Sequence, residues 1–150
     1  MIPPALPGQR DQHSVDAGQL DLLAIFHFVL AGFCLLGLGF IFLHWLVMHT
    51  FLENPEIWEN AKSPPPPKEL LAMFKWFYLF MGLFTLILGA GNLIAGLCMR
   101  KRRCRTLTMI VAGFDCLMIP FGTVLGVFTI IVLARDSVRE AYEATGTPRL

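Results

Sequence analysis

Three polar residues stand inside apolar runs of this sequence and are the first candidates for chemistry. They are His27, Asn92 and Asp115. Removing an ionisable side chain from water is costly, so a histidine or an aspartate in such a run is a functional candidate. Histidine titrates near neutrality, and an aspartate can supply its counter-charge. The pattern predicts a charge-assisted polar cluster, which is either a proton- or ion-responsive site or a set of hydrogen bonds that fixes helix register.

Pro120 follows Asp115 by five residues and predicts a break in the same apolar stretch. Because proline lacks a backbone N–H, a proline inside a helix frees the carbonyl four residues earlier, here that of Cys116. Transporters use broken helices of this kind to bind ions. An oligomeric channel or transporter built around Asp115 and Pro120 is therefore one hypothesis for the function.

Other catalytic and metal-binding patterns find no support in the sequence. His27 and His44 lie about 26 Å apart along one predicted helix, so they cannot bind one haem within a monomer. His49 and Glu53 share a helix face, but two ligands do not make a metal site. The four cysteines lack CxxC spacing: Cys34, Cys98, Cys104 and Cys116. We predict no cofactor, no metal and no enzymatic activity, and a haem-binding electron-transfer subunit stays open only if another copy or a methionine supplies the second ligand.

Two long apolar runs must position His27 and Asn92. Residues 22–48 and 70–99 contain a single charged residue, Lys75. At ~1.5 Å per residue, each run is long enough to cross a hydrocarbon core of about 30 Å. Only 15% of the chain is charged, against roughly 25% in a soluble domain. The predicted fold class is all-α, a polytopic integral membrane protein with a transmembrane domain over residues 22–134 and the lipid bilayer as a partner.

The third apolar stretch, residues 106–134, carries Asp115 and allows two interpretations. It forms either one kinked span or a hairpin with arms over 106–118 and 120–134. A hairpin places nine of the twelve Lys and Arg residues on one side of the membrane, whereas a single span divides them equally. The positive-inside rule therefore favours the hairpin and four helices in total, although its arms are short for full spans.

The basic loop 100–105, RKRRCR, sets the predicted orientation. It lies between two apolar runs, which is typical of a membrane-flanking loop and does not favour nucleic-acid binding. A cytoplasmic loop 100–105 places a Pro-rich arm, residues 1–21, and a polar tail, residues 135–150, on the cytoplasmic side. The connector 50–69, with prolines at 64–67, then lies outside. Counted from the cytoplasmic face, His27, Asn92 and Asp115 lie about 8, 10 and 14 Å deep, so we expect them to meet.

Glycines indicate where helices pack. Gly82, Gly89 and Gly96 recur every seven residues on one helix face, where a neighbouring backbone can approach closely. Gly122 and Gly126 form a GxxxG motif in the third stretch. We expect this motif to pack against the three-glycine face within the chain, and homo-oligomerisation through it remains an alternative.

Residues 119–133, IPFGTVLGVFTIIVL, contain the pattern Pro-x-Gly-Thr-x-x-Gly followed by an aliphatic run. This segment resembles the last segment of a loose group of uncharacterised small bacterial membrane proteins. In that group a basic loop precedes the segment and a charged tail follows it, and the likeness covers roughly residues 70–140. The resemblance implies a multi-pass protein of the bacterial cytoplasmic (inner) membrane with two short final helices, and it implies no activity.

Taken together, these features predict a small structural or accessory membrane protein. No motif in the sequence specifies a reaction. We expect the protein to associate with itself or with a larger membrane complex. The channel or transporter hypothesis is the first alternative and the haem-binding subunit is the second.

Overall fold

The computed structural model describes the backbone of residues 7–60 and 64–146 and the side chains of residues 14–60 and 64–143. Within these residues the regular structure is entirely helical, which confirms the predicted helical class. The six helices are α1 (Pro7–Leu52), α2 (Pro55–Asn60), α3 (Lys68–Arg100), α4 (Arg105–Asp115), α5 (Phe121–Ala134) and α6 (Asp136–Gly146).

Helices α1 and α3 contain the two long apolar runs. By length and composition, the segments Ser14–Leu52 and Lys68–Arg100 can each cross a membrane. A third crossing would need the pair Phe121–Ala134 and Asp136–Glu143, which is bent by 73°, to act as one span. At ~1.5 Å per residue, α4 and α5 rise only about 17 and 21 Å, so neither alone matches a core of about 30 Å.

The Pro-rich arm predicted over residues 1–21 is helical from Pro7 onward and belongs to α1; residues 1–6 lie outside the described part. Proline is tolerated in the first turn of a helix, so Pro7 does not oppose this start. Among the described side chains of this segment, those of Asp16 and Leu20 are buried. Because these tertiary contacts stabilise the helix, it extends well before the apolar run.

The third apolar stretch reverses direction between α4 and α5, as the hairpin interpretation predicts. The Arg105 guanidinium at the start of α4 donates two hydrogen bonds, of 2.9 and 2.7 Å, to the Leu133 carbonyl near the end of α5. In one continuous helix these residues would lie about 42 Å apart. Helices α4 and α5 therefore run in opposite directions, and the turn between them occupies residues 116–120.

The connector and the tail contain helices that the sequence analysis did not predict. The short α2 lies in the connector, and Pro64 to Pro67 lie outside the helices. The tail forms α6, whose Val138 and Tyr142, one helical turn apart, are buried. The acidic side chain of Asp136 lies in the first turn of α6, where the helix dipole favours a negative charge.

The chain divides into two compact units. The first unit comprises residues 1–32 and 90–150, and the second comprises residues 33–89. The first unit has an apolar core drawn from α1, α3, α5 and α6: Leu20, Leu23, Ala24, Met99, Val132, Leu133, Val138 and Tyr142. In the second unit, the described side chains of Cys34 and Leu88 are the buried ones, and large apolar side chains such as Leu35 and Phe40 are exposed.

The glycines pack differently from the prediction. A Cβ at Gly126 would overlap the Ala112 carbonyl oxygen, and one at Gly122 would lie 2.5 Å from the Asp115 carbonyl oxygen. The GxxxG motif therefore packs α5 against α4, not against the three-glycine face of α3. That face does not act as one surface, because Gly96 packs against the Phe28 ring, Gly89 is half-buried and Gly82 has no described atom within 4 Å of a Cβ. Glycine spacing shows that a backbone can approach closely, but it carries no information about which helix does so.

Candidate functional site

Four helices of the first unit each contribute one polar side chain to a buried cluster. His27 comes from α1, Asn92 from α3, Asp115 from α4 and Thr129 from α5, and all four have no exposed surface. We call these four residues the polar cluster. The structure thus brings together the three residues predicted from the sequence and adds a threonine that was not predicted.

The cluster forms because each helix buries one stripe of side chains, and the polar residue takes one place in that stripe. The buried positions on α4 are Thr108, Ala112 and Asp115, spaced by four and then three residues. The same spacing relates Gly122, Gly126 and Thr129 on α5. Residues three and four apart lie on one face of a helix, so both stripes face inward. The two glycines allow α4 and α5 to approach closely, which brings Thr129 to the same place as Asp115.

The α3 stripe follows the same rule. Its buried positions lie on one helix face and include Asn92, Ala95, Gly96 and Met99. On α1, Leu20, Leu23, Ala24 and His27 form the corresponding face. Alanine and glycine beside the polar side chains leave room for the larger His27 and Asn92.

The four side chains are linked by a continuous chain of hydrogen bonds. The Asn92 amide Nδ2 donates to Asp115 Oδ1 at 2.7 Å. The amide oxygen of Asn92 therefore faces His27, whose Nδ1 lies 2.6 Å from it and must carry the hydrogen. On the other side of the ring, His27 Nε2 lies 3.2 Å from Thr129 Oγ1. A hydroxyl can donate or accept, so Thr129 fits both a neutral and a protonated His27.

The second carboxylate oxygen of Asp115 is the exception in this network. Asp115 Oδ2 lies 3.5 Å from His27 Nδ1 and has no hydrogen-bond partner among the described residues. A buried net charge is costly, so a net charge of zero is favoured in the cluster. The cluster is neutral when one proton is added to the pair of a neutral His27 imidazole and an Asp115 carboxylate. Two arrangements meet that condition, an imidazolium with a carboxylate or an imidazole with a carboxylic acid.

The Asp115 position is otherwise unfavourable for an acidic residue. Asp115 is the last residue of α4, and the C-terminal end of a helix carries partial negative charge. The amide of Asn92 and the ring of His27 offset this repulsion. Asp115 is therefore held by residues of α1 and α3, which ties the end of α4 to both long helices.

Pro120 does not create the free carbonyl that the sequence analysis predicts. The Cys116 carbonyl oxygen accepts a hydrogen bond of 2.9 Å from the Thr123 hydroxyl. Pro120 is the last residue of the turn and directly precedes α5, so it does not interrupt a helix. Lys75, the charged residue of the second apolar run, is exposed.

Both ring nitrogens of His27 are engaged, so this residue cannot bind a metal or a haem iron without losing a hydrogen bond of the cluster. His44 Nδ1 lies 2.6 Å from the Tyr78 hydroxyl, and His49 Nε2 lies 3.4 Å from a Glu53 carboxylate oxygen. Across residues 14–60 and 64–143, no group of three or more His, Cys, Asp or Glu is placed to hold a metal ion.

A second polar array joins the α5–α6 corner to α1. Arg135 Nη1 donates to Asp16 Oδ1 at 2.9 Å and to Gln19 Oε1 at 2.7 Å. Ser137 Oγ donates to the other oxygen of Asp16.

Comparison of the chain with protein-family models, with curated proteins and with solved structures finds no match.

Proposed function

We propose that this chain is a small accessory protein of a bacterial cytoplasmic membrane, in which the polar cluster is an interhelical clamp. Helices α1 and α3 cross the bilayer, and α4 and α5 enter it as a hairpin packed on them. The chain associates with a second copy or with a larger membrane complex. The observation that carries the proposal is the closure of the polar cluster, because its four side chains have no exposed surface and bond to one another.

A clamp fits the chemistry of the cluster better than a catalytic site does. A reaction centre must admit a substrate, whereas the two described cavities are lined by residues of the 102–143 region and by residues 45–78, and neither includes a cluster residue. Hydrogen bonds between membrane helices stabilise a fold by about 0.6 kcal/mol each, up to about 1.7 kcal/mol. The three bonds of the cluster thus contribute a few kcal/mol to the stability of a hairpin whose arms are each too short to span the hydrocarbon core.

The hairpin supports the proposed orientation. Because Arg105 bonds to the Leu133 carbonyl, the tail begins beside the basic loop 100–105. Nine of the twelve Lys and Arg residues then lie on one side, which the positive-inside rule assigns to the cytoplasm.

The second unit supplies the surface for association. Its large apolar side chains are widely exposed, with Leu35 and Leu36 at 71% and Phe40 at 68%. Lipid chains satisfy such a surface, so exposure alone does not identify an interface. Gly39 and Gly82, however, have no described atom within 4 Å of a Cβ, and open glycines on membrane helices favour close helix contacts.

Purification in a mild detergent tests the association directly. We expect the wild-type protein to run as an oligomer or with a stoichiometric partner. We expect Gly39→Leu and Gly82→Leu together to weaken that assembly without unfolding the chain. The matched control is Gly113→Leu, since Gly113 is an open glycine of the first unit. A wild-type protein that stays monomeric and alone in lipid nanodiscs would refute the accessory function.

A second function is favoured by one observation, the unpartnered Asp115 Oδ2 beside His27. A proton that moves between these groups would make the cluster a proton- or ion-responsive site of an oligomeric channel or transporter. Ion flux in proteoliposomes that is lost in Asp115→Asn, while folding and assembly persist, would favour this function over the clamp.

A further inference from the structure

The basic loop borders a cavity that the polar cluster does not use. It has a volume of about 410 Å³ and lies in the first unit, between the loop and α6. Its lining includes four arginines, a glutamate and a tyrosine: Arg102, Arg103, Arg105, Arg139, Glu143 and Tyr142. We call it the arginine cavity.

The charges of the arginine cavity are not balanced. Its one carboxylate, Glu143, is paired with Arg139 at 2.9 Å. Arg105 uses two of its N–H groups on the Leu133 carbonyl, which neutralises no charge. Arg102 and Arg103 are exposed, and the described residues offer neither of them a carboxylate within ion-pair distance. The cavity therefore carries excess positive charge and free guanidinium donors.

Tyr142 provides an independent sign of a missing acceptor. Its side chain is 6% exposed and lines the cavity, yet its hydroxyl has no hydrogen-bond partner among the described residues. Burial raises the pKa of Tyr142 to about 12, so the hydroxyl keeps its proton and acts as a donor at neutral pH. Buried hydroxyls normally have a partner, so an orphan donor beside arginines points to an anionic ligand.

The start of α4 adds donors to the same place. Helix α4 begins at Arg105, and Cys104 before it makes no side-chain hydrogen bond to cap the helix. The first N–H groups of a helix lack partners within it and favour an anion. With the arginines, they match the charge and the acceptor oxygens of a phosphate group.

We propose that the arginine cavity binds a phosphate group, supplied by the headgroup of an anionic phospholipid. The cavity lies where the apolar run of α3 ends, and basic pockets at that level bind anionic lipids. The lipid source rests on the proposed membrane location and orientation, whereas the phosphate chemistry rests on the cavity alone. Phosphate binding in the arginine cavity does not require the proposed association with a partner.

Binding is tested on the full-length protein in a neutral detergent. The probes are short-chain phosphatidylglycerol, short-chain phosphatidylcholine and inorganic phosphate, and the affinity of each is measured by calorimetry. We expect phosphatidylglycerol to bind at least about tenfold more tightly than phosphatidylcholine, because the latter headgroup carries a compensating positive charge.

Two charge-matched double variants separate a site from general attraction. Arg102→Gln with Arg103→Gln removes cavity arginines, whereas Arg100→Gln with Lys101→Gln removes two charges of the same loop outside the described lining. We expect the first pair to weaken phosphatidylglycerol binding about tenfold or more and the second by less than about threefold. Equal weakening by both pairs would overturn the proposal.

Tyr142→Phe removes only the orphan hydroxyl. Since that group has no described partner, we expect the unliganded variant to unfold at the wild-type temperature or above it, and phosphatidylglycerol to bind about three- to tenfold more weakly. Unchanged binding in Tyr142→Phe would contradict the proposed geometry. Inorganic phosphate that binds as tightly as the lipid would overturn the lipid source, and absence of binding by every probe would overturn the site, while either result leaves the accessory function intact.

Discussion

Both units of the chain contain parts of the long helices α1 and α3, but they differ in what those helices bury. In residues 1–32 and 90–150, four helices each bury one face, and the four faces converge on the polar cluster. In residues 33–89, the described part buries Cys34 and Leu88, and most of the aromatic side chains are exposed. A polar group between helices needs an internal partner when no water is present, whereas an apolar side chain on a membrane helix needs only lipid. Specific packing is therefore concentrated in the first unit.

The largest difference should come from the residue in the middle of the cluster. Asn92→Leu removes the acceptor of His27 and the donor to Asp115, leaving a buried ionisable pair without its bridge. We expect a loss of about 3–5 kcal/mol in the free energy of unfolding, measured by steric trapping in bicelles. The matched control is Thr85→Val in the second unit, whose hydroxyl bonds only to the Met81 carbonyl of its own helix. A comparable loss in both variants would remove the distinction between the units.

Backbone contact provides the second test. Gly126→Ala places a methyl group against the Ala112 carbonyl, so we expect a loss of about 1–3 kcal/mol by the same measurement. At Gly113 and Gly82 a Cβ has no described atom within 4 Å, so alanine there should stabilise its helix by up to about 1 kcal/mol. A tolerated Gly126→Ala would mean that α4 and α5 are not in close contact.

Thr129→Val tests the least expected member of the cluster. Valine keeps the shape of threonine and removes the hydroxyl that pairs with His27 Nε2. The expected loss is about 0.6–1.7 kcal/mol, the range for hydrogen bonds between membrane helices. Thr108→Val is the control, because the Thr108 hydroxyl bonds to the Cys104 carbonyl one turn earlier and joins no two helices. If the two losses are equal, Thr129 takes no part in the clamp.

The smallest effect should come from the hydrogen bond between His44 and Tyr78. Its distance of 2.6 Å equals that between His27 and Asn92, but both of its residues belong to the second unit and the bond is exposed. We expect Tyr78→Phe to change the free energy of unfolding by less than about 0.5 kcal/mol, because surface substitutions rarely exceed that value. A loss above about 1 kcal/mol would show that exposure does not separate the two units.

Much of the polar cluster could be predicted because the long apolar runs contain few polar residues. His27, Asn92 and Asp115 are rare polar residues in long apolar runs, and counting along each helix places them at similar depths, within the same half of the predicted bilayer. The hairpin could be predicted from charge, since it returns the tail arginines to the side of the basic loop.

The parts that could not be predicted depend on contacts between distant residues. A threonine in an apolar helix commonly bonds to a carbonyl of its own helix, so Thr129 gave no separate signal. The first part of α1 and the α5–α6 corner are joined by Asp16 and Arg135, which are 119 residues apart. Local sequence in the tail is polar and charged, which is also typical of an unstructured segment.

The central claim is that the polar cluster acts as one clamp, and a double-mutant cycle tests it most directly. Asn92→Leu, Thr129→Val and the double variant are compared in bicelles by the free energy of unfolding. Both residues bond to His27, so we predict that Thr129→Val costs almost nothing once Asn92 is replaced, which gives a coupling of about 1 kcal/mol. Losses that add to within about 0.3 kcal/mol would show that the two bonds are independent and would contradict the clamp.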